Sequence, residues 1–227
     1  MAYLIVGGSS GIGRALVDLL LEDGQDVTVW ARNQRDLPAA VTFHALDVTE
    51  GTIDKSMVPD VVDGFAYCPG SIDLKSFRSL KPDAFREAFE INVVGAVACL
   101  QAAERALKKA ENPAVVLFST VAVQKGMPFH AGVAAAKGAI EGLTRSLAAE
   151  YAPKIRVNAI APSLTDTPLA EKLLSSDDKR QASADRHPLR KVGTPKDIAG
   201  MAHYLLSPKA GFITGQIIGV DGGMSTL

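Results

Sequence analysis

The first residues whose types and spacing could do chemistry are the glycines of Gly7-Gly8-Ser9-Ser10-Gly11-Ile12-Gly13. They follow a short apolar run, residues 2–6, and precede residues 14–22, in which apolar side chains recur at helical spacing. Strand, glycine turn and helix in this order are typical of a dinucleotide site. Glycine lets the backbone approach a pyrophosphate, and the helix N-terminus offers unpaired N–H groups. We predict a dinucleotide-binding loop, with an ordinary tight turn as the alternative.

The residue just past the second predicted strand indicates which cofactor binds. An acidic residue there binds the ribose 2′-hydroxyl of NAD, whereas a basic residue suits the 2′-phosphate of NADP. Arg32 holds this position, with Arg35 and Arg14 close in sequence. NADP(H) is therefore favoured over NAD(H), and the alternative is that these arginines are ordinary solvated surface.

The elements that must position these residues alternate between strand and helix along the whole chain. Strands are predicted at residues 2–6, 26–31, 41–45, 61–67, 114–118, 156–160 and 216–220. A long helix is predicted over about residues 83–111, which Gly95 could interrupt, and another over about residues 130–151. The alternation predicts one α/β domain, a doubly wound, mainly parallel Rossmann-type sheet in three α/β/α layers.

Composition argues against several classes of protein. The chain has 227 residues, of which 47% are hydrophobic, and its net charge of -1 indicates neither nucleic-acid nor anionic-membrane partners. No apolar run reaches the roughly 20 residues of a membrane span, and the start of the chain lacks the features of a signal peptide. Cys68 and Cys99 lie in apolar runs and are predicted to be buried free thiols. We expect a cytoplasmic protein with a small-molecule substrate and no metal.

The segment at about residues 165–195 is polar and charge-rich, which sets it apart from its surroundings. A segment this long in a compact domain is often a substrate lid, and the alternative is a plain surface insertion. Apolar residues near it could line a substrate pocket or pack in the ordinary way. These are Met127, Phe129, Leu164, Leu169 and Leu173.

Together these motifs resemble the short-chain dehydrogenase/reductase family, over essentially the whole chain. The resemblance is carried by the glycine motif, Asp47, Asn92 in Ile91-Asn92-Val93-Val94-Gly95, the helix containing Lys137-Gly138-Ala139, Arg156-Val157-Asn158-Ala159-Ile160 and Val220-Asp221-Gly222-Gly223. It implies NAD(P)(H), hydride transfer, and a homo-oligomer, commonly a tetramer built on the two longest helices. It also implies a serine, a tyrosine and a lysine at the nicotinamide. The tyrosine transfers the alcohol proton, the lysine lowers its pKa and holds the ribose, and the serine orients the substrate oxygen.

The resemblance also assigns roles to particular positions. Lys137 and Thr120 are the predicted catalytic residues, joined by Asn92, which in that family links the lysine to a water chain. Asp47 is expected to accept from the adenine amino group, with a helix N-cap as the alternative. The predicted cofactor-binding residues are Gly7, Ser9, Ser10, Gly11, Ile12, Gly13, Arg32, Asp47, Val48, Gly70, Asn92, Lys137, Pro162, Leu164 and Thr167.

One departure from the family pattern affects the chemistry directly. The tyrosine would stand four residues before Lys137, where this chain has Val133, and valine has no proton to transfer. Thr120, thirteen residues before Val133, keeps a hydroxyl at the serine position, with Ser119 beside it. The other departures are Val6 for threonine, Tyr67-Cys68-Pro69-Gly70 for Asn-Asn-Ala-Gly, and Pro162-Ser163 for Pro-Gly.

Three hypotheses for the missing proton donor stay open. In the first, His130 replaces the tyrosine. It lies seven residues before Lys137, about two helical turns and hence on the same face. The enoyl-thioester reductases, a branch of the family, place their tyrosine at this register, and imidazole exchanges protons near neutrality. Tyr67 is a weaker candidate.

In the second hypothesis hydride passes to a polarised C=C or C=N bond, or water supplies the proton. In the third, the chain is a binder, acting as a cofactor sensor or interaction module. We predict an NADP(H)-preferring oxidoreductase that acts on a small carbonyl, alcohol or enoyl substrate through an atypical proton donor.

Overall fold

The computed structural model describes residues 1–50 and 52–227 and confirms the predicted fold class. The strands are β1 (Ala2–Val6), β2 (Asp26–Ala31), β3 (Thr42–Ala45), β4 (Gly64–Tyr67), β5 (Ala114–Phe118), β6 (Arg156–Pro162) and β7 (Ile217–Val220). They form one sheet in the order β3-β2-β1-β4-β5-β6-β7, and every neighbouring pair is parallel. The strand order reverses between β1 and β4, so a crevice opens there at the carboxyl ends of the strands.

Helices cover both faces of this sheet. They are α1 (Gly11–Glu22), α2 (Pro82–Phe89), α3 (Gly95–Lys109), α4 (Val121–Lys125), α5 (Ala131–Tyr151), α6 (Asp177–Asp185) and α7 (Pro195–Leu206). Leu16 of α1 and Leu205 of α7 belong to the apolar core on one face, whereas Leu107 of α3 and Ile140 of α5 belong to the core on the other. The predicted three-layer arrangement is therefore present.

The strands are buried on both sides, and their sequences show why. Ile5 packs into one core, while its neighbours Leu4 and Val6 pack into the other, because successive side chains of a strand point to opposite faces. A strand covered on both faces has no polar alternation, which is why β1 and β5 appear in the sequence as continuous apolar runs.

The long helix predicted over residues 83–111 is two helices. A π-helical turn, Glu90–Val94, separates α2 from α3 and lies just before Gly95 rather than at it. Gly95 is needed for a different reason, since a β-carbon there would lie 2.5 Å from the Tyr67 hydroxyl. Single π turns inside helices are frequent at functional sites, and this one carries Asn92.

Other boundaries differ for identifiable reasons. Strand β4 begins at Gly64 rather than at residue 61, because the Val62 N–H bonds to the Ala106 carbonyl of α3. The polar segment after β6 contains α6, which was not predicted and which Ser176 caps through the Lys179 N–H at 3.3 Å. Helix α7 begins with a capping box, in which Thr194 and Asp197 bond to each other's backbone N–H.

Candidate active site

The loop after β1 has the backbone geometry that the glycines predicted. Gly7 and Gly11 adopt positive φ angles of 77° and 55°, a region that disfavours side chains. A β-carbon at Gly13 would lie 2.4 Å from the Gly7 carbonyl oxygen. Ser10 makes no side-chain cap and the first turn of α1 has no acidic residue. The first N–H groups of α1 are therefore open to an anion.

A groove of about 470 Å³ runs from this loop across the ends of β2 and β3. Eleven of the fifteen residues predicted to bind the cofactor line it, namely Gly7, Ser9, Ser10, Gly11, Ile12, Gly13, Arg32, Asp47, Val48, Gly70 and Thr167. Arg35 also lines the groove. The shape and lining of the groove fit an extended dinucleotide.

Of the three arginines considered for the 2′-phosphate, only two face the groove. Arg14 bonds to Asp18 at 2.9 Å and forms an ion pair with Asp36 at 3.1 Å, so it is already neutralised. Arg32 and Arg35 form no salt bridge with any described residue and line the groove. Arg32 and Arg35, just past the end of β2, are therefore the two arginines whose charge is available to bind a phosphate.

Asp47 does not cap a helix, because the next helical turn, Lys55–Met57, is capped by Asp54. Its carboxylate accepts from the Thr49 N–H at 3.0 Å and from the Thr49 hydroxyl at 2.8 Å. These two bonds lower the pKa of Asp47, and the nearby charge of Arg32 adds to the effect. The side chain stays an acceptor at the edge of the groove.

A second cavity, of about 540 Å³, adjoins the groove and shares Cys68, Gly70 and Thr167 with it. Lys137, Pro162 and Leu164 of the predicted set line this cavity. The predicted apolar lining is also confirmed, with contributions from Met127, Phe129, Leu164, Leu169 and Leu173. None of the described residues that line it is acidic.

Lys137 is buried beside Gly70, with 8% of its surface exposed. Burial lowers the pKa of its ammonium from 10.5 to about 8, because a charged group loses its hydration there. The neighbouring Cys68 thiol has its pKa raised to about 12 by burial, so it stays protonated. Lys137 forms no salt bridge with a described residue. Its charge is therefore available to a ligand in the cavity.

Asn92 lies on the other side of the same glycine. Its Nδ2 donates to the Ala88 carbonyl at 2.8 Å and to Ser71 Oγ at 3.2 Å, whereas its buried Oδ1 has no partner among the described residues. A β-carbon at Gly70 would lie 3.2 Å from Asn92 Oδ1 and 3.5 Å from Lys137 Nζ. Gly70 is thus flanked by a buried acceptor, Asn92 Oδ1, and a buried donor, Lys137 Nζ. A ligand hydroxyl at this place could bond to both.

Val133, which stands where the resemblance implies a tyrosine, is part of the cavity lining. Val133 is 9% exposed and shares the cavity with Thr120 and Lys137. Ser119 donates its proton to the buried Glu141 at 2.8 Å. Thr120 Oγ1 only accepts, from Ala122 N–H at 3.3 Å, so its proton remains free. Thr120 is therefore the better placed of the two hydroxyls.

The two predicted substitutes for the tyrosine differ in their access to the cavity. His130 immediately precedes α5, is partly exposed, lines the cavity, and pairs its Nδ1 with the Pro128 carbonyl at 2.7 Å. Tyr67 is 2% exposed and its hydroxyl is bonded to the Ile91 carbonyl. Burial also raises the pKa of Tyr67 far above its ordinary value. The structure therefore argues against Tyr67 as a proton donor.

Two residues that the sequence did not single out for proton transfer also line the cavity. His187 is 2% exposed, and its Nε2 lies 2.8 Å from Ser163 Oγ. Its Nδ1 lies 2.8 Å from the Ser183 carbonyl oxygen. One sequence feature pointed to this pair, namely the serine that follows Pro162 where the family has glycine. Nothing pointed to His187, which lies 24 residues further on in a segment of polar composition.

No described helix combines the length and the apolar character that a membrane crossing needs. Within residues 1–50 and 52–227 there is also no group of three or more His, Cys, Asp or Glu side chains arranged to hold a metal ion.

Comparison with known proteins agrees with this geometry. The family model described as enoyl-(acyl carrier protein) reductase matches residues 6–225. A probable 2,4-dienoyl-CoA reductase of Bacillus subtilis is 33% identical over 98% of this chain and 95% of its own length. A 3-oxoacyl-[acyl-carrier-protein] reductase of Chlamydia muridarum is 31% identical over 99% and 97%.

Solved structures share the fold over the full length. The structure of ElxO with NADP bound superposes with a TM-score of 0.89 at 25% identity, covering 100% of this chain and 99% of that one. The matches span nearly the whole of both chains. The chain belongs to the short-chain dehydrogenase/reductase family of NAD(P)-dependent oxidoreductases.

Proposed function

We propose that the protein is an NADP(H)-preferring oxidoreductase that transfers hydride to or from a small carbonyl, alcohol or enoyl compound, with a proton donor other than tyrosine. One observation carries the proposal. The Lys137 ammonium and the unpaired Asn92 oxygen flank Gly70, at the junction between the dinucleotide groove and an apolar cavity. A binding protein that only held a nucleotide would need no such cavity.

The residues of the groove fit a phosphorylated dinucleotide. The open N–H groups at the start of α1 would hold the pyrophosphate, and Asp47 would accept from the adenine amino group. Arg32 and Arg35 would hold the 2′-phosphate, and the bound NADP of the related ElxO structure supports this choice. Lys137 would donate to the nicotinamide ribose. When bound, the cofactor supplies or accepts the hydride.

The cavity favours an acyl compound with a polar group near the reacting carbon. Its apolar wall suits an acyl chain, while its charged lining residues are basic and suit a carbonyl or carboxylate oxygen. The two relatives named above are reductases of 3-oxoacyl and dienoyl thioesters. Acetoacetyl-CoA and crotonyl-CoA are therefore the first carbonyl and enoyl substrates to test.

The segment at about residues 165–195 forms one wall of this cavity, through Leu169, Leu173 and α6. We propose that it closes over the substrate as a lid. We also propose a cytoplasmic homo-oligomer, a dimer or tetramer, assembled through α3 and α5, the two longest helices. Analytical ultracentrifugation would measure its mass.

The proton donor is the less conventional part of the proposal. His130 meets two requirements of a proton donor. It lines the cavity, and the Pro128 carbonyl holds its Nδ1. A backbone carbonyl only accepts, so Nδ1 carries the hydrogen and Nε2 is free to exchange a proton. Turnover of His130→Ala, set against the surface variant His203→Ala, measures its contribution.

The decisive experiment has two stages. Titration with NADPH and NADH should give a tighter Kd for NADPH, and hydride transfer to the two thioesters should follow. If neither nucleotide binds below millimolar concentration, the proposed function is wrong. If NADPH binds and no carbonyl or enoyl compound is reduced, the alternative of a cofactor sensor replaces it. Val133, which leaves the site without its usual acid, is the observation that favours that alternative.

A further inference from the structure

We propose that Ser163 and His187 form a proton relay that delivers the proton in this cavity. The inference rests on the proposed function, because it names the group that completes hydride transfer where the family's tyrosine is missing. Two observations support it: each nitrogen of the His187 ring has a hydrogen-bond partner, and Ser163 directly follows the end of β6.

The hydrogen positions of the pair follow from its partners. The Ser183 carbonyl oxygen can only accept, so His187 Nδ1, which lies 2.8 Å from that oxygen, carries a hydrogen and donates it. In the neutral ring Nε2 is then an acceptor, and Ser163 Oγ at 2.8 Å must donate to it. In the protonated ring the bond reverses, and Nε2 donates to Ser163 Oγ. The hydroxyl proton of Ser163 is then free to point into the cavity.

The ring of His187 is held in place from several directions. It is 2% exposed, and a β-carbon at Gly222 would lie 3.5 Å from its Cδ2. Arg186, its neighbour in the chain, directs its guanidinium to Ser183 Oγ at 3.2 Å. A buried imidazole with both nitrogens paired keeps one orientation, as a proton-transfer group requires.

Ser163 places its hydroxyl at the reacting edge of the sheet. It directly follows Pro162, the last residue of β6, and the adjoining strand β5 ends next to Ser119 and Thr120. Thr165 Oγ1 bonds to the backbone oxygen of Ser163, not to Oγ. Among the described residues Ser163 Oγ therefore bonds only to His187, and it lines the same cavity as Val133 and Lys137.

The reduction of a carbonyl by this route balances. Hydride leaves the nicotinamide ring and forms a C–H bond at the carbonyl carbon, so NADPH is oxidised to NADP⁺ and the carbonyl is reduced to an alkoxide. The alkoxide oxygen takes the proton of Ser163 Oγ. Ser163 in turn takes the Nε2 proton of the His187 imidazolium, which becomes neutral while Nδ1 keeps its hydrogen. After the product leaves, water in the cavity gives a proton to Ser163 Oγ, which passes its own proton to Nε2. Alcohol oxidation runs through the same steps in reverse.

The relay differs from the His130 route in its geometry. His130 precedes the first turn of α5, beside the exposed Phe129, and only its Nδ1 has a described partner. His187 is buried, and a hydroxyl stands between its ring and the cavity. The two routes therefore predict different damaging substitutions.

The first test needs no substrate. Two-bond ¹H–¹⁵N spectra of histidine-labelled protein with NADPH bound report which ring nitrogen carries the hydrogen, and the His187→Gln variant assigns the signal. The relay predicts that neutral His187 is the Nδ1–H tautomer and that Ser163→Ala shifts its Nε2 resonance. An Nε2–H tautomer, or no shift in Ser163→Ala, would overturn the proposal.

The second test measures transfer itself, with acetoacetyl-CoA and NADPH. Ser163→Ala and His187→Gln should each lower kcat about 100-fold or more, the usual contribution of a positioned acid, with little change in KM or in the Kd for NADPH. The double variant should be no slower than either single variant, because one path has been cut twice. The solvent deuterium isotope effect on kcat should change in both single variants.

Matched substitutions on the surface provide the controls. His203→Gln alters a histidine paired with Asp23, and Ser56→Ala removes an exposed hydroxyl bonded to Asp54. Both should retain wild-type kcat. If Ser163→Ala and His187→Gln turn over like these controls while His130→Ala does not, the relay is wrong and the proposed function stands. If NADPH fails to bind the wild type, the proposed function itself has failed.

Discussion

The α-carbon of Gly13 lies so close to Gly7 that a β-carbon at position 13 would stand 2.4 Å from the Gly7 carbonyl oxygen. That contact joins the first turn of α1 to the end of β1. It fixes the distance between the strand and the open N–H groups that would hold a pyrophosphate. The glycine motif is therefore a packing requirement as well as a conformational one.

Gly13→Ala is expected to abolish NADPH binding and to lower the melting temperature, because the backbone atoms it meets cannot move aside. Gly200→Ala is the control, since Gly200 lies in α7 with nothing within 4 Å of the added carbon. There, alanine should stabilise the fold by about 0.5–1 kcal/mol. Calorimetry and nucleotide titration check both, and a Gly13→Ala protein that binds NADPH normally would contradict this account of the loop.

Arg32→Ala should weaken NADPH binding by about 10- to 100-fold, the loss expected for one charge-assisted contact to phosphate. NADH binding should change little, because NADH lacks the 2′-phosphate. Arg78→Ala, at an exposed position in the turn Phe77–Ser79, is the control for a general loss of positive charge. Equal losses for the two nucleotides would assign Arg32 a structural role instead.

Lys137 should leave a signature in the pH dependence of stability. Burial lowers its pKa from 10.5 to about 8. Between these pH values the unfolded chain binds a proton that the folded chain does not, so this group makes the free energy of unfolding rise with pH. At 1.36 kcal/mol per pKa unit the rise is about 3 kcal/mol. Below about pH 8 the contribution is constant.

The measurement is a comparison of variants. In Lys137→Met this rise of the unfolding free energy with pH should disappear. Urea unfolding gives the free energy of unfolding of wild type and variant at about pH 7 and about pH 10. The difference between the two proteins should change by up to about 3 kcal/mol between these pH values. Lys196→Met, at an exposed site of α7, should leave the difference near zero. A flat difference for Lys137→Met would mean that the ammonium is well solvated.

The sequence predicted the sheet and the groove because their signals are local. The runs of β1 and β5 are continuously apolar, and the glycines stand beside the strand that they serve, so periodicity and spacing were sufficient. The fifteen residues predicted to bind the cofactor come mainly from strand ends, and in a parallel sheet these ends all meet at one edge. The topology brought them together without further information.

What the sequence could not predict depends on contacts between distant segments. Tyr67 was considered a donor because it ends a strand, but its hydroxyl is bonded to the Ile91 carbonyl in the π turn. The same turn could not be foreseen, since the residue types of Glu90–Val94 do not distinguish a π turn from an α-helical one. The pairing of Ser163 with His187 spans a segment whose helix α6 has no strong apolar periodicity. In each case tertiary structure decided the outcome.

The most direct test of the site is to restore the hydroxyl that the chain lacks. Val133→Tyr should place a phenol in the 540 Å³ cavity four residues before Lys137, whose ammonium would lower the phenol pKa. In the Ser163→Ala background, which lacks the proposed relay, we expect Val133→Tyr to increase carbonyl reduction with acetoacetyl-CoA by about 10²-fold or more, the range of general acid catalysis. The Val133→Phe variant matches the added volume without the hydroxyl, so it should gain nothing. If both variants bind NADPH and neither gains activity, Lys137 and Thr120 are not arranged for that chemistry, and the proton must come from elsewhere in the cavity.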